Sequence, residues 1–376
     1  MKHILLIVGS ELHINDPFLN YIRAQYNRHF GESPLIFYVR DGDNELPFKI
    51  QNHAKYSELI TVVANEANFA TIAKILSTLS NDNLELKDDT LMPSRASISV
   101  NGSFVISLED AQINLLKATP TQTLPPFLLS LDSKAASFNL LDIDKDSALL
   151  VLKELGATYN VNVLATNILE RLIYVKAISQ KFGQLDSFLD EAKKAFINQF
   201  IDNDNIVDFI VSRLKAQNLS ITLAESCTAG MGAAMIGAVP GASEIFAGSV
   251  VSYSNHIKNI WLNVDESILN EHGAVSAPCV EAMAKGALEL CGSDFAISIS
   301  GIAGPGGGSD AKPVGTVYIG AASKDIVYSR CLHLSGDRDY IRTQSALSAY
   351  ALLLSSFWTQ ICSSKQEINK ELNDEE

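Results

Sequence analysis

Five consecutive apolar residues, Ile4 to Val8, run into Gly9-Ser10-Glu11, and short apolar stretches follow at Leu35 to Val39 and, broken only by Thr61, at Leu59 to Ala64. Short continuous apolar runs of this kind fit strands buried on both faces. Pro17 to His29 carries helical spacing between the first two, and a second helix is expected around Ala70 to Leu79. Strand and helix in alternation imply βαβ units and a parallel sheet, so the fold class is α/β. Ala96 to Val100 and Ser103 to Leu108 then flank Asn101-Gly102, a pair suited to a tight hairpin turn. Thr119-Pro120 to Pro125-Pro126 is a Pro/Thr-rich connector.

A chain of 376 residues exceeds one ordinary core. The expected organisation is an N-terminal parallel α/β sandwich at 1–135 and a small α+β middle domain at 136–198. A C-terminal α/β/α domain at 199–364 and a polar tail at 365–376 complete it. From about Ser137 to Lys194 the pattern is strand-poor and helical, with one possible strand at Val161 to Ala165. Glycine marks where ligand chemistry is concentrated: 16 of the 22 glycines lie at or beyond Gly230, and none falls between Gly42 and Gly102. Glycine permits positive φ and close backbone approach, so ligand-cradling loops are expected in the C-terminal segment.

That segment starts with a strand, Leu219 to Ala224, after which Glu225-Ser226-Cys227-Thr228-Ala229-Gly230 is expected to open a helix of small residues. Gly248 to Tyr253 is a second strand. Ser276 caps a helix with Pro278 in its first turn and Gly292 at its end. Asp294 to Ser300 is a strand entering the loop Gly301 to Gly308. An antiparallel pair follows at Val314 to Ala322 and Ile326 to Leu334, and one long helix is expected from Arg338 to Ile361.

The formal charge of −14 argues against a nucleic-acid partner, because a polyanion would be repelled. The apolar start is too short for a signal segment, and no run approaches a membrane span. Five cysteines without a Cys-x-x-Cys pair suit reduced thiols, so a cytoplasmic setting is expected. The seven histidines show no metal-ligand spacing, and neither cofactor nor metal is expected.

Ser226 stands where a strand passes into a helix N-terminus, and the free amides of Cys227 and Thr228 could hold a developing oxyanion there. The plainer alternative is a helix N-cap serine. No histidine offers itself as a base, which leaves Lys258. A free lysine is neutral in only about one molecule in 2,500 at pH 7. Bringing its pKa to about 7 takes about 4–5 kcal/mol, which burial can supply; otherwise Lys258 is a surface lysine. Tyr253 could relay or orient a proton, or simply pack. Cys227 is a rival nucleophile if a helix start lowers its pKa, and a small buried hydrophobe if not. The loop Gly301 to Gly308, with Lys312 beyond it, could wrap a phosphate or ribose, although the Gly-Lys-[Ser/Thr] of a Walker loop is absent. Arg338 and Arg342, four apart at a helix start, could grip a phosphate or pair with Asp337 and Asp339.

Together, Ala224 to Gly230, Val250 to Lys258, Gly273 to Ser276, Ser300 to Pro305, Lys312 to Val317 and Ser335 to Arg338 resemble the C-terminal domain of the CinA family, the nicotinamide-nucleotide amidohydrolase fold. The resemblance covers about 150 residues; Ala229 and Ser249 stand where the family often has glycine. It implies deamidation of nicotinamide mononucleotide to nicotinate mononucleotide and ammonia, with Ser226 as nucleophile, Lys258 as base and Tyr253 assisting. Substrate contacts are then expected at Glu225, Cys227, Thr228, Gly230, Asn255, Gly301, Ala303, Gly304, Lys312, Arg338 and Arg342. The resemblance also implies a homodimer acting on a small nucleotide, with no nucleic-acid or membrane partner.

The first 130 or so residues resemble a degenerate copy of the family's N-terminal, molybdopterin-binding-like domain. Gly9-Ser10-Glu11-Leu12 and Gly42-Asp43-Asn44 survive, but Ala64 to Phe69 replaces the glycine-rich loop after the third strand. The metal-dependent ADP-ribose hydrolysis associated with that domain is therefore expected to be weak or lost. Two alternatives stay open: a non-catalytic nucleotide sensor or competence/damage-associated scaffold, and a pyrophosphatase run by the N-terminal domain.

Overall fold

A computed structural model describes residues 3–31, 33–130 and 135–363; the polar tail expected at 365–376 lies outside the described residues. The chain divides into two compact units, 1–134 and 135–376.

In the first unit, β1 (His3–Val8), β2 (Leu35–Val39), β3 (Leu59–Ala64), β6 (Ile98–Val100), β7 (Ser103–Leu108) and β8 (Ala111–Lys117) form one sheet in the order β2-β1-β3-β8-β7-β6. The pairs from β2 to β8 are parallel, and β7 and β6 are added antiparallel. Every residue of β1 and β3 is buried, as their apolar runs require. Helices α1 (Ser10–His13), α2 (Asp16–Phe30), α3 (Leu46–Ala54) and α4 (Glu66–Leu79) accompany the sheet, and β4 (Leu84–Lys87) pairs with β5 (Thr90–Pro93) as a separate hairpin. The sequence concealed α3 and β8. Pro47 mimics a turn signal yet is tolerated in the first turn of α3. Asn114 interrupts the apolar run of β8; it is buried, donating to Ser103 Oγ (2.9 Å) and accepting from Leu128 N (2.9 Å). The Pro/Thr-rich connector packs back on this unit, with Leu124 N donating to the Tyr21 hydroxyl.

The second unit begins with a sheet that corrects the strand-poor expectation. β9 (Ala135–Leu141), β10 (Val161–Leu169), β11 (Leu172–Ser179) and β12 (Phe200–Ile201) lie antiparallel in the order β10-β11-β9-β12. Helices α5 (Lys145–Tyr159) and α6 (Leu185–Ala195) cover one face, burying Phe138, Leu140, Leu152 and Phe188. Exposed polar residues such as Asn162 and Asn167 mask the strand pattern of β10. β12 pairs with β9, so this sheet extends past the expected limit at 198.

The remaining elements are α7 (Ile206–Gln217), β13 (Ile221–Glu225), α8 (Met231–Gly237), β14 (Phe246–Val251), α9 (Asn255–Leu262), α10 (Glu266–Glu271), α11 (Ala277–Cys291), β15 (Phe295–Gly301), β16 (Thr316–Ser323), β17 (Val327–His333), α12 (Arg338–Ser356) and α13 (Trp358–Cys362). Their sheet has the order β14-β13-β15-β16-β17, parallel from β14 to β15 and antiparallel beyond. One face buries Ile210, Leu223, Ile297, Tyr350 and Leu353, from the strands, α7 and α12. The other buries Ala224, Met283, Ala287 and Ala296 beneath α11.

Two helix expectations are corrected. The helix after β13 starts at Met231, not Ser226, because Ala229 and Gly230 both have left-handed φ, +50° and +92°. The last helix breaks at Phe357, whose ring packs on Phe295 (5.2 Å) and Tyr328 (5.6 Å).

Gly286 lets α11 press against the end of α9: a Cβ there would lie 1.9 Å from the Leu262 carbonyl oxygen. Gly286→Ala is expected to destabilise this unit by about 2–3 kcal/mol despite alanine's better helix propensity. Thermal unfolding checks this; a midpoint within about 2 °C of wild type would contradict it.

Candidate active site

β13 and β14 are parallel neighbours in register from Thr222↔Gly248 to Glu225↔Val251, so Ser226 and Ser252 leave the sheet side by side. Ser226 N still donates to Ile299 O of β15 (2.9 Å), and Ser252 N to Glu225 O (2.8 Å). Ser226 is anchored by the sheet, and its side chain caps no helix, since Gly230 is the N-cap of α8 and provides no side-chain bond.

On the other strand the chain turns at Ser254, whose hydroxyl caps α9 by accepting from Ile257 N. This swings Lys258 back over the strand ends. Its Nζ lies 2.9 Å from Ser226 Oγ, 2.6 Å from Ser252 O and 3.5 Å from Tyr253 O. Lys258 is fully buried, while Ser226 remains 8% exposed. Among the described residues, no carboxylate is a hydrogen-bond partner of the amine. Burial therefore dominates and lowers its pKa below the ordinary lysine value. As a neutral amine it can donate both N–H bonds to the two carbonyls and aim its lone pair at the Ser226 hydroxyl.

The amides of Cys227 and Thr228 donate to no other residue among those described. The Cys227 thiol is buried, and desolvation pushes its pKa up to about 11 against the opposing pull of Lys258, Arg338 and Arg342. That removes the reason for preferring it to Ser226.

Several expected substrate contacts are committed within the protein. Glu225 is fully buried, and its carboxylate accepts from the amides of Gly230, Gly232 and Ala233 and from Ser249 Oγ. The carboxylate and the Gly230 amide, both expected as substrate contacts, are thus bonded to each other in this structure. Lys312 Nζ donates to His272 O (3.1 Å) and Val275 O (2.7 Å), so it pins the glycine-rich loop to the turn before α11. Arg342 donates to Thr228 O (2.8 Å) and Asp339 (2.9 Å). Arg338 ignores both aspartates and donates to Gly304 O (2.6 Å) and the Tyr253 hydroxyl (3.0 Å). The Tyr253 phenol is therefore tied to Arg338, and its link to Lys258 runs through its carbonyl.

Arg338 brings Gly304 and Tyr253 to the same rim. Asn255 is exposed at the first turn of α9, Ala303 is buried and Gly301 closes β15. Ser249 and Ser252 were missed; their only sequence signal is position on the strand beside the nucleophile. Among the described residues, no three His, Cys, Asp or Glu side chains gather as a metal site, and no helix is long and apolar enough to cross a membrane.

Residues 203–357 match the family described as CinA C-terminal domain. A CinA-like protein of Thermotoga maritima is 42% identical over 168 residues, 43% of this chain and 41% of that one. A CinA-like protein of Thermosipho melanesiensis is 33% identical over 261 residues, 66% of this chain and 64% of that one. A solved CinA superfamily protein of Klebsiella pneumoniae is 34% identical, covering 41% of this chain and 96% of that one, with a TM-score of 0.40. The match spans about two fifths of the Thermotoga relative's length.

Proposed function

Because residues 203–357 are a CinA C-terminal domain, by which this chain is a member of the CinA family, we propose that it is an amidohydrolase that converts nicotinamide mononucleotide to nicotinate mononucleotide and ammonia. The observation that carries this reading is the fully buried Lys258 amine 2.9 Å from Ser226 Oγ. A surface lysine would be protonated and useless as a base, whereas one stripped of water is biased toward the neutral form the reaction needs.

In the proposed sequence Ser226 Oγ attacks the carboxamide carbon while its proton passes to Lys258 Nζ. The amides of Cys227 and Thr228 receive the oxyanion. The tetrahedral intermediate collapses, the C–N bond breaks, and the Lys258 ammonium returns the proton to the departing nitrogen, which leaves as ammonia. Lys258 then takes a proton from water, whose oxygen attacks the acyl carbon. The bond from that carbon to Ser226 Oγ breaks, Lys258 returns the proton to Oγ, and the nicotinate product leaves. The phosphate of the substrate is proposed to lie at the rim where Arg338 stands beside Gly304 and Tyr253, because the five donors of its guanidinium are only partly used there.

The test is ammonia release from nicotinamide mononucleotide by the full chain, with Ser226→Ala beside it. Tight binding without turnover would instead favour the sensor reading. Cys227→Ala keeps the backbone amide and removes only a thiol whose pKa is raised to about 11, so it is expected to retain turnover within about threefold. A loss beyond about a hundredfold in that variant, with Ser226→Ala active, would move the nucleophile to the neighbouring thiol.

For the first unit we propose a structural role. At its strand ends the Asp41 carboxylate accepts from Ser10 N (3.0 Å) and Asn68 Nδ2 (2.5 Å) where a glycine-rich phosphate loop would be needed. Metal-stimulated ADP-ribose turnover by the full chain would overturn that assignment.

A further inference from the structure

Glu225 immediately precedes the nucleophile and is buried, with no cation among its hydrogen-bond partners in the described residues. One carboxylate oxygen accepts from Gly230 N and Gly232 N, both at 3.0 Å. The other accepts from Ala233 N (2.9 Å) and Ser249 Oγ (3.2 Å). Three backbone amides and one hydroxyl thus converge on the two carboxylate oxygens inside the protein. The space is built to match. A Cβ on Gly232 would lie 2.8 Å from Leu223 Cδ2 and 3.4 Å from the Glu225 carboxylate.

The side chain closes a ring. The backbone leaves the sheet at Glu225, runs out through Ser226, Cys227 and Thr228, and is drawn back onto the same residue by the amides of 230, 232 and 233. Within this ring Ala229 holds φ +50°, a conformation that an alanine occupies only when its surroundings demand it. The carboxylate therefore sorts the donors of the turn into two sets. Those of Gly230, Gly232 and Ala233 face inward and are used, while those of Cys227 and Thr228 are left for something outside. Arg342 also holds this turn, through Thr228 O.

We propose that Glu225 is a positioning residue for the reaction: its carboxylate acts as a built-in acceptor that fixes the oxyanion-binding amides of Cys227 and Thr228 relative to Ser226 Oγ. The proposal rests on the reading of Ser226 as nucleophile. Glutamine keeps the size of the side chain but offers one acceptor oxygen and turns an N–H₂ toward amides that are themselves donors. The turn then loses part of its clamp, and the oxyanion amides lose their fixed aim.

Two readouts on the full chain test this. The first is ammonia release from nicotinamide mononucleotide by wild type and Glu225→Gln. The second is covalent labelling of Ser226 by a fluorophosphonate, in which the Ser226 Oγ–P bond forms, fluoride leaves, the serine proton passes to Lys258 and the phosphonyl oxygen needs the same amides. Glu225→Gln is expected to lose about 100-fold in kcat and a similar factor in labelling rate, with KM within about threefold. A residue that merely stabilised the fold would lower the melting temperature and leave the folded fraction fully reactive. Ser249→Gly removes one donor from the carboxylate without touching the turn, and is expected to slow labelling about threefold even if Glu225→Gln does not fold. The proposal is overturned if folded Glu225→Gln labels and turns over within threefold of wild type, if its loss lies in KM alone, or if Ser249→Gly labels at the wild-type rate. Wild type that labels at Ser226 but releases no ammonia would sink the amidase reading only, leaving the labelling rates to decide; wild type that does neither defeats both.

Discussion

Ser226→Ala is expected to lower ammonia release from nicotinamide mononucleotide by roughly 10⁴-fold or more in kcat, while leaving substrate affinity within a few-fold. The size follows from the role: without the hydroxyl no acyl-enzyme forms, and what survives is the oxyanion-holding and binding background. The fold should not suffer. Ser226 is held through its backbone, by the bond from its amide to Ile299 O, and its side chain caps no helix. Steady-state kinetics with a melting curve on the same preparation check both halves. Undiminished turnover in a folded Ser226→Ala would remove the nucleophile from the scheme.

Lys258 should be nearly as sensitive, and its pH behaviour is more telling. Lys258→Met fills similar volume without a base and is expected to cost roughly 10³-fold or more in kcat. Lys258→Arg should be just as inactive, because a guanidinium stays protonated throughout the accessible range. Wild-type kcat should rise with pH through the lowered pKa of Lys258, since only the neutral amine can accept the serine proton. The sign for stability follows from the same shift. The folded-state pKa lies below the unfolded value near ~10.4, so in the window between them the unfolded chain binds more protons. Within that window wild-type stability rises with pH, and the full penalty is felt below the folded pKa. Relative to wild type, Lys258→Met should therefore gain stability as pH falls. Denaturant unfolding of the pair across pH measures it, and a difference that shrinks toward acid would contradict a desolvated amine.

Much of the framework was legible because its signals are local. β1 and β3 are buried on both faces, which is why their apolar runs stood out without reference to any neighbour. β10 was only half visible, since its outer face is exposed and carries asparagine and threonine. Ser226 and Lys258 could be chosen by residue type and resemblance, yet nothing in a separation of 32 residues says that the two side chains meet. That depends on β13 and β14 pairing in register and on the turn at Ser254. The internal bonds of Glu225, Gly230 and Lys312 were hidden for a common reason: a charged or donor group beside a glycine-rich loop looks the same in sequence whether it faces a ligand or the protein's own backbone.

Adjacent parallel strands lie about 4.8 Å apart, and that interval is among the stiffest in a protein because a ladder of bonds enforces it. The serine follows the last rung of that ladder, and the amine is returned to it by α9, which begins four residues after β14 ends, so their reach is inherited from the sheet and one short turn rather than assembled by mobile segments. Such a pair should keep its separation through warming, substrate entry and product departure. Evolution could then reshape the rim to admit other carboxamides without retuning the two atoms that do the chemistry.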